Sequence, residues 1–149
     1  MKTYDEVKNI LSAIEPTEGM YEKLSEEDIP NLQKLLKEPE PWLAARSVFA
    51  LSKLKAERAN ELLYTLTDDP RVEIRVSLAS AANQLPSDIH QKITEKLLED
   101  REPGVRKFAY SSILPHASPE LFKRLKKALE KEEEPGLQEI LREKISEFQ

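Results

Sequence analysis

The chain has 149 residues, 34% charged and 39% hydrophobic, with 10 prolines, 3 glycines, no cysteine and a formal net charge of -5. That length fits one domain burying about 70% of its unfolded surface, and the missing thiols exclude a disulfide scaffold or a cysteine-ligated zinc site. No apolar run approaches the roughly 18 residues that cross a bilayer, and Met1 to Asn9 carries no stretch of signal-peptide type; a cytoplasmic protein without membrane contact is expected.

Nine helices are predicted, in chain order. Thr3 and Glu6 have the spacing of a capping box ahead of Val7, Leu11 and Ile14, giving a helix over about 3–14. Asp28, before Ile29 and Pro30, marks the start of a second over 28–37, carrying Leu32, Leu35 and Leu36. Pro41 opens 41–54, where Leu43, Ser47, Ala50, Leu51 and Leu54 share one stripe; Leu62, Leu63 and Leu66 mark 57–67. Pro70 opens 70–85 with Val72, Val76, Ala79, Ala82 and Leu85, and Ser87 can cap 87–99 with Ile89, Ile93 and Leu97. Pro103 opens 103–114 with Val105, Phe108, Ala109 and Ile113. Ser118 caps and Pro119 opens 118–130, where Leu121, Leu125 and Leu129 face inward. Pro135 opens 135–148, with Leu137, Ile140, Leu141, Ile145 and Phe148 on a broad apolar face. No segment has the alternation of a strand.

The prolines are regular. Pro41, Pro70, Pro103 and Pro135 are separated by 29, 33 and 32 residues, and each precedes an apolar residue by two positions. Proline is tolerated in the first helical turn, where its missing N–H has no partner to lose, so a fixed proline period reads as stacked helical hairpins. The expected fold is all-α, a right-handed α-solenoid of about four antiparallel helix pairs plus a C-terminal capping helix. As a single domain it divides into units near 1–37, 41–67, 70–99 and 103–130, closed by 135–148. That last helix has no pair in the chain and must seal the end of the core.

The unit openings resemble HEAT repeats, whose first helix begins with an Asp/Pro turn followed by valine, arginine and small apolar residues. Asp69-Pro70-Arg71-Val72-Glu73-Ile74-Arg75 and Glu102-Pro103-Gly104-Val105-Arg106 carry the likeness, and Glu38-Pro39-Glu40-Pro41-Trp42-Leu43 looks like a short bacterial form. It covers the chain from about residue 28 onward. The Trp, Gly and Tyr positions of a tetratricopeptide array are not found. The resemblance implies that Arg46, Arg75 and Arg106 pair with acids in the inter-repeat turns, such as Asp69 and Asp100, as a structural ladder. It also implies that second helices line a concave face exposing Asn31 and Lys34, Glu61, Tyr64 and Thr65, Gln91 and Glu95, then Lys123, Arg124 and Lys127.

Local signatures of chemistry are missing. No HExxH, GxSxG, P-loop or GxGxxG occurs, and His90 and His116 have no metal spacing around them. Acidic runs such as Asp68-Asp69 and Glu132-Glu133-Glu134 read as solvated turns, and Trp42 as packed on the preceding repeat. The expectation is therefore no enzyme, no catalytic residues, no metal and no cofactor. Charge is more informative. Residues 1–37 hold 8 acids and 5 bases, whereas 103–134 hold 7 bases and 5 acids. Lys123, Arg124, Lys127 and Lys131 fall on the outer face of one helix.

The function expected is a non-catalytic interaction module or scaffold, binding a protein or peptide through Glu61, Tyr64, Gln91, Glu95, Lys123, Arg124 and Lys127. Two alternatives stand beside it. One is nucleic-acid binding by the basic helix 118–130, which the overall charge of -5 disfavours. The other is an accessory subunit like the phycobilin lyases in which short HEAT-like repeats occur, proteins that attach chromophores to partner proteins. A monomer is expected, with a dimer through the C-terminal helix as the other possibility.

Overall fold

A computed structural model of the chain describes residues 1–13, 16–115 and 117–148. Ile14, expected on the first helical stripe, and His116, expected in a turn, lie outside the described residues. Among the described residues ten α-helices follow in order: α1 Tyr4–Leu11, α2 Glu18–Glu22, α3 Ile29–Leu35, α4 Pro41–Lys53, α5 Glu57–Thr65, α6 Val72–Ala81, α7 Ser87–Leu97, α8 Pro103–Ser112, α9 Pro119–Lys131 and α10 Pro135–Glu147. Among the described residues there is no strand, and no helix is long and apolar enough to cross a membrane.

The punctuation of the chain explains most boundaries. Thr3 accepts from the Glu6 N–H while the Glu6 carboxylate accepts from the Thr3 N–H, closing a capping box on α1. Ser118 accepts from the Leu121 N–H at 3.2 Å, with Pro119 in the first turn of α9. Elsewhere the local chemistry differs from expectation. Ser87 lies inside α7, and Pro86 is the boundary residue, without a side-chain cap. Pro70 stands outside α6, because the Asp69 carboxylate accepts from the Arg71 N–H at 2.9 Å and delays the helix to Val72. Asp28 does not cap α3. It is fully buried and instead accepts from the N–H groups of Ser25 and Lys2, fastening the N-terminus to the start of α3 within the first unit. The short α2, begun by a Thr17 side chain that accepts from the Met20 N–H, lies between the first two predicted helices, where no helix is expected.

The helices form an α-solenoid of two layers. First helices α4, α6, α8 and α10 pack in succession, and second helices α5, α7 and α9 pack in succession beside them. At the N-terminal end α1 packs on α3, which in turn packs on α4. One continuous core runs through the stack, from Leu11 and Leu32 through Leu51, Leu63, Leu78 and Ile93 to Leu121 and Leu141. The central helix α6 has neighbours in α4, α7 and α8. Ile74, Arg75, Ser77, Leu78, Ala79 and Ala81 are therefore all buried, while the expected stripe residues Val72 and Val76 are only half-buried. A helix walled on several sides has no single apolar stripe.

α10 takes the place of a first helix and packs against both α8 and α9. Leu137 and Leu141 enter the core, Phe148 stacks on Phe122 at 5.0 Å between ring centroids, and Lys144 donates to the Ile113 carbonyl at 3.2 Å. It seals the end of the stack on two sides.

Candidate functional site

The turns that lead from each second helix to the next first helix are stitched together by arginines. Arg75 of α6 forks onto Asp100, with Nε 2.8 Å from Oδ2 and Nη2 3.2 Å from Oδ1, and a third N–H reaches the Asp69 carbonyl at 2.8 Å. Arg106 of α8 repeats the pattern one unit on. It forks onto Glu132 at 2.9 and 3.1 Å and donates to the Asp100 carbonyl at 3.0 Å. Each guanidinium thus ties two successive turns, in the planar two-point geometry that suits this side chain. In α10 the corresponding residue is Gln138, which keeps the backbone half of the pattern by donating to the Glu132 carbonyl at 2.6 Å.

Two predicted members do something else. The Asp69 carboxylate is taken by Arg71 of its own turn, at 3.0 and 3.1 Å. Arg46 donates to the carbonyls of Leu11 and Ala13 and stacks over Trp42, 4.9 Å from the ring centroid. Trp42 itself is 48% exposed rather than packed beneath the preceding repeat. Phe108, expected in the core, is 39% exposed for the related reason that it sits on the outer side of α8 beside Lys107.

Glu132 is the acid that sequence reasoning missed. Its side chain is only 2% exposed, and it also accepts from Tyr110 Oη at 2.7 Å and from the N–H groups of Glu133 and Glu134. Burial works to raise its pKa, but these donors, Arg106 first, outweigh it and hold the carboxyl at about 2. A signal was available. Glu38, Asp100 and Glu132 each stand three residues before a repeat proline, Pro41, Pro103 and Pro135. The first of these takes Lys8 at 3.2 Å and the Tyr4 hydroxyl, so the register holds in three turns. In the remaining turn that position is Thr67, which donates to the Tyr64 carbonyl.

Beside this ladder lies an open groove of about 900 Å³. α7 and the turn after it supply Glu95, Leu98, Glu99, Asp100 and Arg101; α9 supplies Lys123, Arg124, Lys127, Ala128 and Lys131. Buried Tyr110 and Glu132, with Arg106, make the inner wall. Of the residues expected on the second-helix face, Glu95, Lys123, Arg124 and Lys127 meet here. Arg124 crosses toward Glu95 at 3.5 Å, and Gln91 donates to Glu95 at 3.1 Å from just outside the groove. Glu61 and Tyr64 lie one helix away on α5, where Lys96 sits 5.2 Å from the Tyr64 ring and pairs with Asp68 at 2.9 Å. Among the described residues no group of three or more His, Asp or Glu side chains is placed to hold a metal ion. Buried His90 has its Nδ1 2.9 Å from the Ala82 carbonyl.

No protein-family model matches this sequence, and no curated protein matches it. Among solved structures the fold is matched by a chain in the complex of CpcE and CpcF of phycocyanin lyase from Nostoc sp. PCC7120. The match has a TM-score of 0.70 and 17% sequence identity, and it covers 95% of this chain and 96% of that chain. The two share a helical-repeat fold along nearly their whole lengths. This likeness corrects the expectation that the chain is not an enzyme: a repeat protein of this shape is part of a lyase complex. Compact local motifs carry no sign of such a role, because function sits in sites grafted on a fold; the accessory-subunit alternative rests on the repeat resemblance instead.

Proposed function

We propose that this chain is a HEAT-type solenoid that acts as an accessory subunit of a lyase-like assembly, holding a partner protein on its second-helix face. The observation that carries the reading is the groove between α7 and α9, where four exposed cations, Lys123, Arg124, Lys127 and Lys131, line one helix of the second-helix layer. The likeness to a chain of a two-protein lyase complex supports the same reading over 95% of the sequence. A solenoid suits the task, since stacked repeats offer a long surface whose curvature the inter-repeat contacts fix.

Cross-linking with a lysine-reactive reagent in source cells, followed by isolation of the chain and mass spectrometry, tests this directly. Links to a partner protein should concentrate on Lys123, Lys127 and Lys131 of α9. Links confined to Lys107 on α8 would place the partner on the opposite layer and refute the assignment. Addition of an open-chain tetrapyrrole to the isolated assembly should shift the pigment's absorbance, and an unchanged spectrum would dismiss the chromophore-lyase part of the reading.

A further inference from the structure

The groove has a grain. Lys123, Lys127 and Lys131 are spaced four residues apart on α9, so they rise about 6 Å at each step along the helix. Alternate side chains of an extended peptide point to the same side at intervals of about 7 Å. The three lysines are exposed, and their long stems can absorb the small angular drift of an i, i+4 row. Three acidic side chains at alternate positions of one strand would therefore meet three ammonium groups in turn. We infer that the groove between α7 and α9 binds an extended acidic segment of the partner protein, with Asp or Glu at every second residue. This rests on the proposed protein-holding role and specifies the chemistry of what is held.

The walls favour a peptide over a nucleic-acid strand. Glu99, Glu133 and Glu134 also line the groove, at the C-terminal ends of α7 and α9, where the helix dipoles add further negative potential. Past Lys131 these acids would repel a uniformly charged phosphate chain, while a peptide whose three acids already face the lysines can place a neutral or basic residue there. Among the described residues Tyr110 is the one aromatic ring in the lining, and it is buried with its hydroxyl held by Glu132, so it offers no face on which bases could stack.

Fluorescence anisotropy with the full chain provides the test. The probes are a labelled peptide containing Glu-Ser-Glu-Ser-Glu, a peptide of the same composition with its three acids contiguous, and a single-stranded oligonucleotide of equal charge. The alternating peptide should bind most tightly, and its affinity should fall about fivefold or more with Lys127→Glu, as expected for reversing one contact at an exposed charge. Lys107→Glu, on the other layer, should leave it unchanged, and circular dichroism should show both variants folded. Equal binding to Lys127→Glu, or tighter binding of the oligonucleotide, would overturn the inference. Equal binding of the two peptides would overturn its spacing. If cross-links still place a partner on α9 while the peptide fails, the extended-strand chemistry is wrong and the protein-holding role stands. If the cross-links fail too, that role falls with it.

Discussion

Arg75 and Asp100 are nearly enclosed, with side chains 6% and 8% exposed, so neither charge can be left alone without cost. Removing one partner of such a pair strands the other in a poorly solvated site, which typically costs about 3–5 kcal/mol. Arg75→Ala should accordingly lower the melting temperature by roughly 10 °C in a chain of this size; a melt within a degree or two of the parent would show that the fork is not holding the turns. Glu132 gives the ladder a pH dependence with a definite sign. Its carboxyl is held at about 2 from an ordinary value of 4.5, so its contribution is complete above the unfolded value and is lost as pH falls from about 4.5 towards 2. The shift corresponds to about 3 kcal/mol. Denaturant melts across that range should show the loss, and Glu132→Gln should flatten it while lowering stability at neutral pH. Tyr110→Phe removes the hydroxyl that donates to Glu132 at 2.7 Å and should cost about 1.5–3 kcal/mol, the usual worth of a hydrogen bond to a charged group.

The elements were legible wherever the chain carries its own punctuation. Thr3 with Glu6, Ser118 with Pro119, and the prolines at 41, 103 and 135 act within a turn of the residues they order, and these helix starts lie at or beside the expected positions. What sequence could not display was the effect of neighbours. Which side of α6 is buried depends on α4, α7 and α8 together, so a one-stripe reading passed over Ile74 and Leu78. Five-residue α2 is too short for periodicity to register. The cations of α9 were visible as one helix face, but the groove that makes them a site needs α7 from a different repeat, and its wall needs Glu132 turned inward. α10 tests the reading of an end seal. Leu141 is fully buried between helices, and Leu141→Ala should cost about 2–5 kcal/mol through lost contacts and a residual cavity. Urea unfolding would measure it. A cost below 1 kcal/mol would mean that α10 only rests on the stack.

At the scale of the whole molecule, a chain with a net charge of -5 gathers a cationic row on one helix of its second layer and braces it with paired turns. The role proposed for this row is to hold a protein. Affinity isolation from source cells addresses it most directly, comparing the native chain with a Lys123→Glu, Arg124→Glu, Lys127→Glu variant, each with and without nuclease. Mass spectrometry should find a discrete protein that survives nuclease on the native chain and is absent from the folded variant. Retention of that protein by the variant, or its loss on nuclease treatment alone, would rule out a protein-holding role for the row.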